Sequence, residues 1–290
     1  MINNIKKSFD ILFKNSAVMQ PLILFILFLL IFNMFMGRNV LINPSLGIIF
    51  VILSVLLFSA FLSGWLYMIK YAVDNYKGFD KNDPKYIEKI GNYNIETCKK
   101  FFIGVGEYFI PVIITVILSM VISKLLLYGG QKLLNINDLN FIINGLSAQS
   151  IQELPQINLR QMAFLLYIDL VTFMFHFFTL FWMPEIFYKT KNTIFAFFKS
   201  IVFLFKNFLT SIGLFFFLFF CFFVFMIISF ITSIIPFLPL IMFLIFLYLV
   251  SYSTILIFMT YKTINIKREI EEINSKDVFI KSQKEDNNAF

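Results

Sequence analysis

Six apolar stretches dominate this chain, at roughly residues 17–36, 46–69, 103–123, 162–184, 210–235 and 237–260. A hydrocarbon core of about 30 Å is crossed by about 20 mostly apolar helical residues. Lipid offers no water to a free backbone, so such stretches must bond their own N–H and C=O groups, as helices do. The expected fold class is therefore all-α: a polytopic membrane protein with six transmembrane helices arranged as three hairpins. Composition agrees, because 59% of residues are hydrophobic and 14% charged, where soluble domains carry about 25% charged residues. Pro236 and Pro239 break the run from 210 to 260 into two spans joined by a tight hairpin. Lys6, Lys7 and Lys14 before the first span mimic a signal peptide, but its apolar part is long and no small-x-small site follows, so no cleavage is expected. Residues 1–261 form the membrane domain and 262–290 a tail.

Basic residues give the orientation independently of hydropathy. Of 24 Lys and Arg, 20 lie in the N-terminus, the 70–100 and 185–209 loops and the tail, leaving Arg38, Lys124, Lys132 and Arg160 on the other side. Positive residues stay inside, so both termini are expected in the cytoplasm of a bacterium, with the chain multi-pass in its cytoplasmic membrane. The net charge of +7 then serves insertion and contact with anionic headgroups. No nucleic-acid partner is called for.

Residues 2–14 place Ile2, Ile5, Phe9, Leu12 and Phe13 at helical spacing with lysines elsewhere, the pattern of a helix lying in the cytoplasmic interface. The same text returns at an offset of 192: residues 7–15 and 199–207 agree at six of nine positions. Tyr188-Lys189-Thr190 and Tyr261-Lys262-Thr263 follow spans four and six, Lys70-Tyr71 closes span two, and Cys98-Lys99-Lys100 precedes span three. Three parallel repeats of two spans, each starting on the cytoplasmic side, account for this, unlike the inverted repeats of many transporters. Outside, Leu139, Ile142, Ile143 and Leu146 share a face of a short helix, the alternative being a loop. The tail carries Ile266, Ile270 and Ile273 on one face of a surface helix with a disordered end.

Ionisable groups within spans are functional suspects, because lipid penalises them. Span four holds Asp169 and the single histidine, His176, with Thr172 between them. Seven residues apart, they share a face at about 10 Å along the axis, too far to bond. They either line a pathway or are structural, Asp169 pairing with Lys124 and His176 bonding a neighbouring helix. Glu107 and Glu185 lie at similar depth near the inner ends of spans three and four. They form a polar vestibule, or pair with Lys189 and Lys191 at the interface. Gly104-Val105-Gly106 lacks the third glycine and the preceding strand of a dinucleotide fingerprint. One histidine without a cysteine or carboxylate cluster assembles no metal site. Cys98 and Cys221 sit in different environments and form no redox motif. No catalytic residue and no cofactor is expected. Ser59, Ala60, Ser63 and Gly64 give span two small-xxx-small pairs for close helix packing, and Trp65, Tyr67, Trp182 and Tyr188 are interfacial aromatics.

The Lys-Ser-Phe-x-x-Leu-Phe-Lys-Asn segment at 7–15, a first span opening at Pro21, and Gly64-Trp65-Leu66 followed by Asp74-Asn75-Tyr76-Lys77-Gly78 resemble a broad group of uncharacterised bacterial membrane proteins. That group is similar to the membrane domain of some glycerophosphodiester phosphodiesterases. The likeness implies the six-span architecture, but no segment outside the spans is long enough for the catalytic domain, so phosphodiesterase activity does not carry over. The sequence thus points to a non-enzymatic integral membrane protein: an accessory, assembly or lipid-associated subunit, with a protein partner or a homo-oligomer. The alternative is a transporter or channel component with a polar pathway along span four.

Overall fold

The computed structural model describes residues 1–42, 46–76, 78–80, 82–136, 159–232, 235 and 237–287, of which 35–42 and 271–287 are described by their backbone. The described residues are nearly all helical and contain no strand. In chain order the helices are α1 (Ile2–Lys14), α2 (Gln20–Ile42), α3 (Leu46–Asn75), α4 (Tyr86–Leu134), α5 (Leu159–Thr179), α6 (Trp182–Tyr188), α7 (Thr193–Lys206), α8 (Phe208–Thr232) and α9 (Leu238–Asn287), with one 3-10 turn at Ser16–Val18. Six helical segments are long and apolar enough to cross a membrane: Ser16–Met34, Leu46–Asn75, Tyr86–Leu134, Leu159–Tyr188, Phe208–Thr232 and Leu238–Ile270. The chain is an all-α polytopic membrane protein. The short outer helix expected around Leu139–Leu146 lies outside the described residues.

Helix boundaries differ from hydropathy at three places, each for a local reason. α4 starts at Tyr86, well before the apolar stretch, because the segment ahead of it is itself amphipathic and contains no proline or turn to end it. Span four is broken at Leu180–Phe181, and Pro184 sits in the first turn of α6, where a missing N–H is tolerated. α9 runs without interruption from Leu238 to Asn287, so the backbone of the tail continues the sixth span as helix instead of fading at its end. Pro239 falls in the first turn of that helix.

The tightest packing is α3 against α4, and two glycines permit it. A Cβ on Gly104 would lie 2.5 Å from Tyr67 Cβ and 2.9 Å from the Ser63 carbonyl, and one on Gly64 would lie 2.9 Å from the Phe101 carbonyl. Ser59, Ser63 and Gly64 are buried along this stretch of α3 and Ala60 is half-buried. Close backbone approach lets dispersion contacts accumulate, which is what holds helices together where lipid removes the usual hydrophobic drive.

α1 and α7 lie beside the bundle with small or polar residues turned inward. α1 buries Asn4, Ser8, Ile11 and Leu12 while Phe9 and Phe13 are exposed; α7 buries Thr193, Ala196, Ser200, Phe203 and Leu204 while Phe195, Phe198 and Phe205 are exposed. Asn4 bonds α9 through Thr260 and Thr263 at 3.5 and 3.3 Å. Asn15 Nδ2 donates to Thr97 on α4 at 2.8 Å, and Asn94 of α4 bonds both the Lys14 carbonyl and the Ala17 N–H. The Asn192 side chain caps α7 by accepting from Phe195 N–H at 3.1 Å. Thr193 and Thr115 both donate to the Pro111 carbonyl at 2.9 Å.

Candidate functional site

Two regions collect the ionisable groups singled out in the sequence. The first is the end of the bundle where α3, α6 and α9 converge, here termed the basic end. Tyr188 donates to Asp74 Oδ1 at 3.1 Å, and Lys262 pairs with the same oxygen at 2.9 Å. The Tyr261 hydroxyl donates to Glu185, which is buried. The rings of Tyr188 and Tyr261 stack at 5.7 Å, so the two carboxylate contacts belong to one assembly. Lys70 lies 5.3 Å from the centre of the Tyr188 ring. Lys191 pairs with Glu107 at 3.3 Å and sits over Tyr108 at 4.8 Å, while Lys189 pairs with Glu269 at 3.1 Å. The expected Glu107–Lys191 pairing is therefore present. Glu185 instead takes a tyrosine from α9, because burial puts its carboxylate beyond the reach of the exposed Lys189 and Lys191.

Outside the spans, the Asp83 carboxyl accepts from Lys89 and from the Lys85 N–H, which holds it below the usual carboxylate range. It steadies the start of α4 on an exposed surface and touches none of the other groups.

The second region is a cleft of about 940 Å³ between α5 and α8, with Ile257 of α9 completing its lining. One wall carries Phe215, Leu218, Phe219 and Phe222; the other carries Asp169, Thr172, His176 and Thr179 in a single line among Leu166, Leu170 and Phe173. That line follows from spacing, since positions three and four apart share a helical face. It extends about 15 Å at 1.5 Å per residue. Leu170 and Phe219 near mid-span are 59% and 50% exposed, and Leu166, nearer the start of α5, is 65% exposed, so the cleft opens sideways from the bundle. The two helices are held apart by aromatic edges, with Phe173 to Phe215 at 4.8 Å and Phe177 to Phe215 at 5.2 Å.

Asp169 has no hydrogen bond or ion pair among the described residues. The expected pairing with Lys124 does not form: Lys124 is exposed on α4, and the described ion pairs do not include it. His176 Nδ1 lies 2.7 Å from the Thr172 carbonyl of its own helix, not against a neighbouring one. Thr179 donates to the Phe175 carbonyl at 2.8 Å. Asp169, Thr172 and His176 are thus brought together along one cleft, whereas Glu107 and Glu185 belong to the basic end and make no shared site with them.

No three His, Cys, Asp or Glu side chains gather at metal-binding distance among the described residues. Cys98 and Cys221 are free thiols on separate helices. Asp74 and Tyr261 were not among the candidates taken from the sequence. A signal for the tyrosine was present, since Tyr71-x-x-x-Asn75, Tyr188-x-x-x-Asn192 and Tyr261-x-x-x-Asn265 recur at the ends of α3, α6 and within α9. Asn75 and Asn265 bond back to the carbonyls of Tyr71 and Tyr261 at 3.0 and 3.1 Å, while Asn192, where the helix ends, caps α7 instead. No protein-family model, curated protein or solved structure matches the chain.

Proposed function

We propose that the chain is a non-enzymatic, lipid-associated accessory or assembly protein of a bacterial cytoplasmic membrane, with both termini in the cytoplasm and the basic end facing anionic headgroups. In this reading the six spans are three repeated hairpins, each led by an amphipathic helix. α1, the first part of α4 and α7 are those lead-in helices, and Tyr-x-x-x-Asn marks each exit. Exposed Phe9, Phe13, Phe195 and Phe198 reach lipid while Lys6, Lys7 and Lys199 meet headgroups. The likeness to the membrane domain of glycerophosphodiester phosphodiesterases is part of this proposal.

The observation that carries it is the sideways opening of the α5–α8 cleft at mid-span, where a bilayer surrounds the bundle. A cleft so placed draws its contents from lipid. The polar groups of the basic end, by contrast, bond one another across three helices, which suits a structural clasp. The test is native mass spectrometry after gentle extraction from the host membrane. Retained lipid or a stoichiometric protein partner is the expected result, and a bare chain that turns over a soluble substrate overturns the reading. Alkaline phosphatase fused at residue 140 should be active and at residue 85 inactive; the reverse overturns the orientation.

A second reading, a transporter or channel component, is favoured by the line of Asp169, Thr172, His176 and Thr179 along the cleft. It requires that Asp169→Asn and His176→Ala change flux in vesicles while membrane yield stays constant. Loss of yield without change of flux per molecule removes it.

A further inference from the structure

Building on the lipid-associated reading, we propose that the α5–α8 cleft binds a membrane amphiphile headed by a protonated amine, with the ammonium on Asp169 and the hydrocarbon chain along Phe215, Phe219 and Phe222.

Size selects a chain over a helix. From Leu166 to Thr179 the cleft follows thirteen residues of α5, about 20 Å. A volume of about 940 Å³ spread over that length gives a mean section just under about 50 Å². A helix 10–12 Å across has a section of about 80–110 Å², wider than this mean section, so it would fill the mouth of the cleft and not its depth, whereas extended hydrocarbon chains fit inside. The α8 wall and Ile257 are entirely aromatic or aliphatic, as a chain requires.

Hydrogen-bond chemistry selects the head. A carbonyl only accepts, so the contact between His176 Nδ1 and the Thr172 carbonyl puts a proton on Nδ1, and in the neutral ring Nε2 is then an acceptor. The Thr179 hydroxyl already donates to the Phe175 carbonyl, leaving its lone pairs. Asp169 brings two acceptor oxygens and a negative charge with no partner among the described residues. The line therefore offers one carboxylate, acceptors at His176 and Thr179, and the Thr172 hydroxyl, which can donate or accept, and the head that uses the most of these carries N–H donors and a positive charge. A phosphate or carboxylate head would meet lone pairs and like charge at Asp169. A trimethylammonium head has the charge but no donors.

The experiment uses the full chain in nanodiscs and an octadecylamine bearing a diazirine in its chain, alongside octadecanoic acid and octadecyltrimethylammonium probes of the same design. The amine should photolabel peptides covering 159–179 and 208–232 at least about tenfold more than the acid or the trimethylammonium probe, a ratio worth about 1.4 kcal/mol. Asp169→Asn should lower that labelling about tenfold, and Asp169→Glu should keep most of it. Equal labelling by all three heads, labelling elsewhere, or no change in the Asn variant overturns the proposal. Should that variant fail to insert, competition on the wild-type chain decides: unlabelled octadecylamine suppresses labelling and octadecanoic acid does not, and suppression by both or by neither overturns it. Crosslinking of these peptides to a co-purified membrane protein, with no amine labelling, would assign the cleft to a partner helix and overturn it too. A chain that retains lipid on native extraction yet shows no preference among heads sinks this inference and leaves the lipid-associated reading standing.

Discussion

The basic end and the α5–α8 flank hold the same kinds of side chain in opposite conditions. At the basic end, Glu185 and Asp74 are each met by a tyrosine from another helix, and Glu107 by Lys191 of the α6–α7 connector. On the flank, Asp169 stands in mid-span with no such partner among the described residues, and His176 bonds only its own helix. The difference teaches where this chain stores stability and where it keeps chemistry available. Carboxylates that tie helices together have no capacity for a ligand, whereas an unpaired one in a lateral cleft has little structural role to lose.

Substitutions can break or sharpen that contrast. The largest effect is expected at Tyr261→Phe, which leaves the buried Glu185 without its donor; hydrogen bonds to charged groups are worth about 1.5–3 kcal/mol, and detergent-resistant melting should fall accordingly. Gly104→Ala comes next, because its Cβ would press on Tyr67 Cβ and the Ser63 carbonyl, and overpacking typically costs about 1–3 kcal/mol. Gly106→Ala, two residues on with nothing within 4 Å, is its control. That change should raise stability by about 0.8–1 kcal/mol through helix propensity. Lys262→Met removes a partly exposed partner of Asp74, and a loss of no more than about 1 kcal/mol is expected.

Asp169→Asn belongs at the small end: melting within about 0.5 kcal/mol of the parent, or above it, since an amide is less costly in lipid than an unpaired charge. A large loss there would erase the contrast between the two regions. Asp83→Asn should leave melting within experimental error at neutral pH. The Asp83 carboxyl is held below its ordinary range in the folded chain, so its contribution exists above the unfolded pKa and disappears as pH falls through the folded one. On an exposed site that window should be barely visible in a titration of melting temperature.

Much of this architecture was legible in the sequence because lipid imposes one strong rule on it. Each apolar stretch had to be a helix, and Pro239 marked the start of the last one. The polar line of span four was legible too, since positions 169, 172, 176 and 179 share a face on any helix. Which helices become neighbours was not legible, because hydropathy reports partition between water and lipid and says nothing of lateral packing. The Lys124–Asp169 pairing failed for that reason: depth matched, but the faces did not. The Asp74–Lys262 and Glu185–Tyr261 contacts join residues far apart in the chain, and only the recurrence of Tyr-x-x-x-Asn hinted at them. The early start of α4 was missed because an apolar threshold cannot see an amphipathic helix that continues into a span.

The most direct measurement is modification by a hydrophobic carbodiimide, which partitions into lipid and reacts with the carboxyl groups it can reach from there, with the adducts located by peptide mass spectrometry of the protein in bilayers. Asp169 should be modified and Glu185 protected behind Tyr261. Modification of Glu185 with Asp169 untouched would contradict the account, placing the lipid-accessible carboxyl at the basic end and not in the cleft.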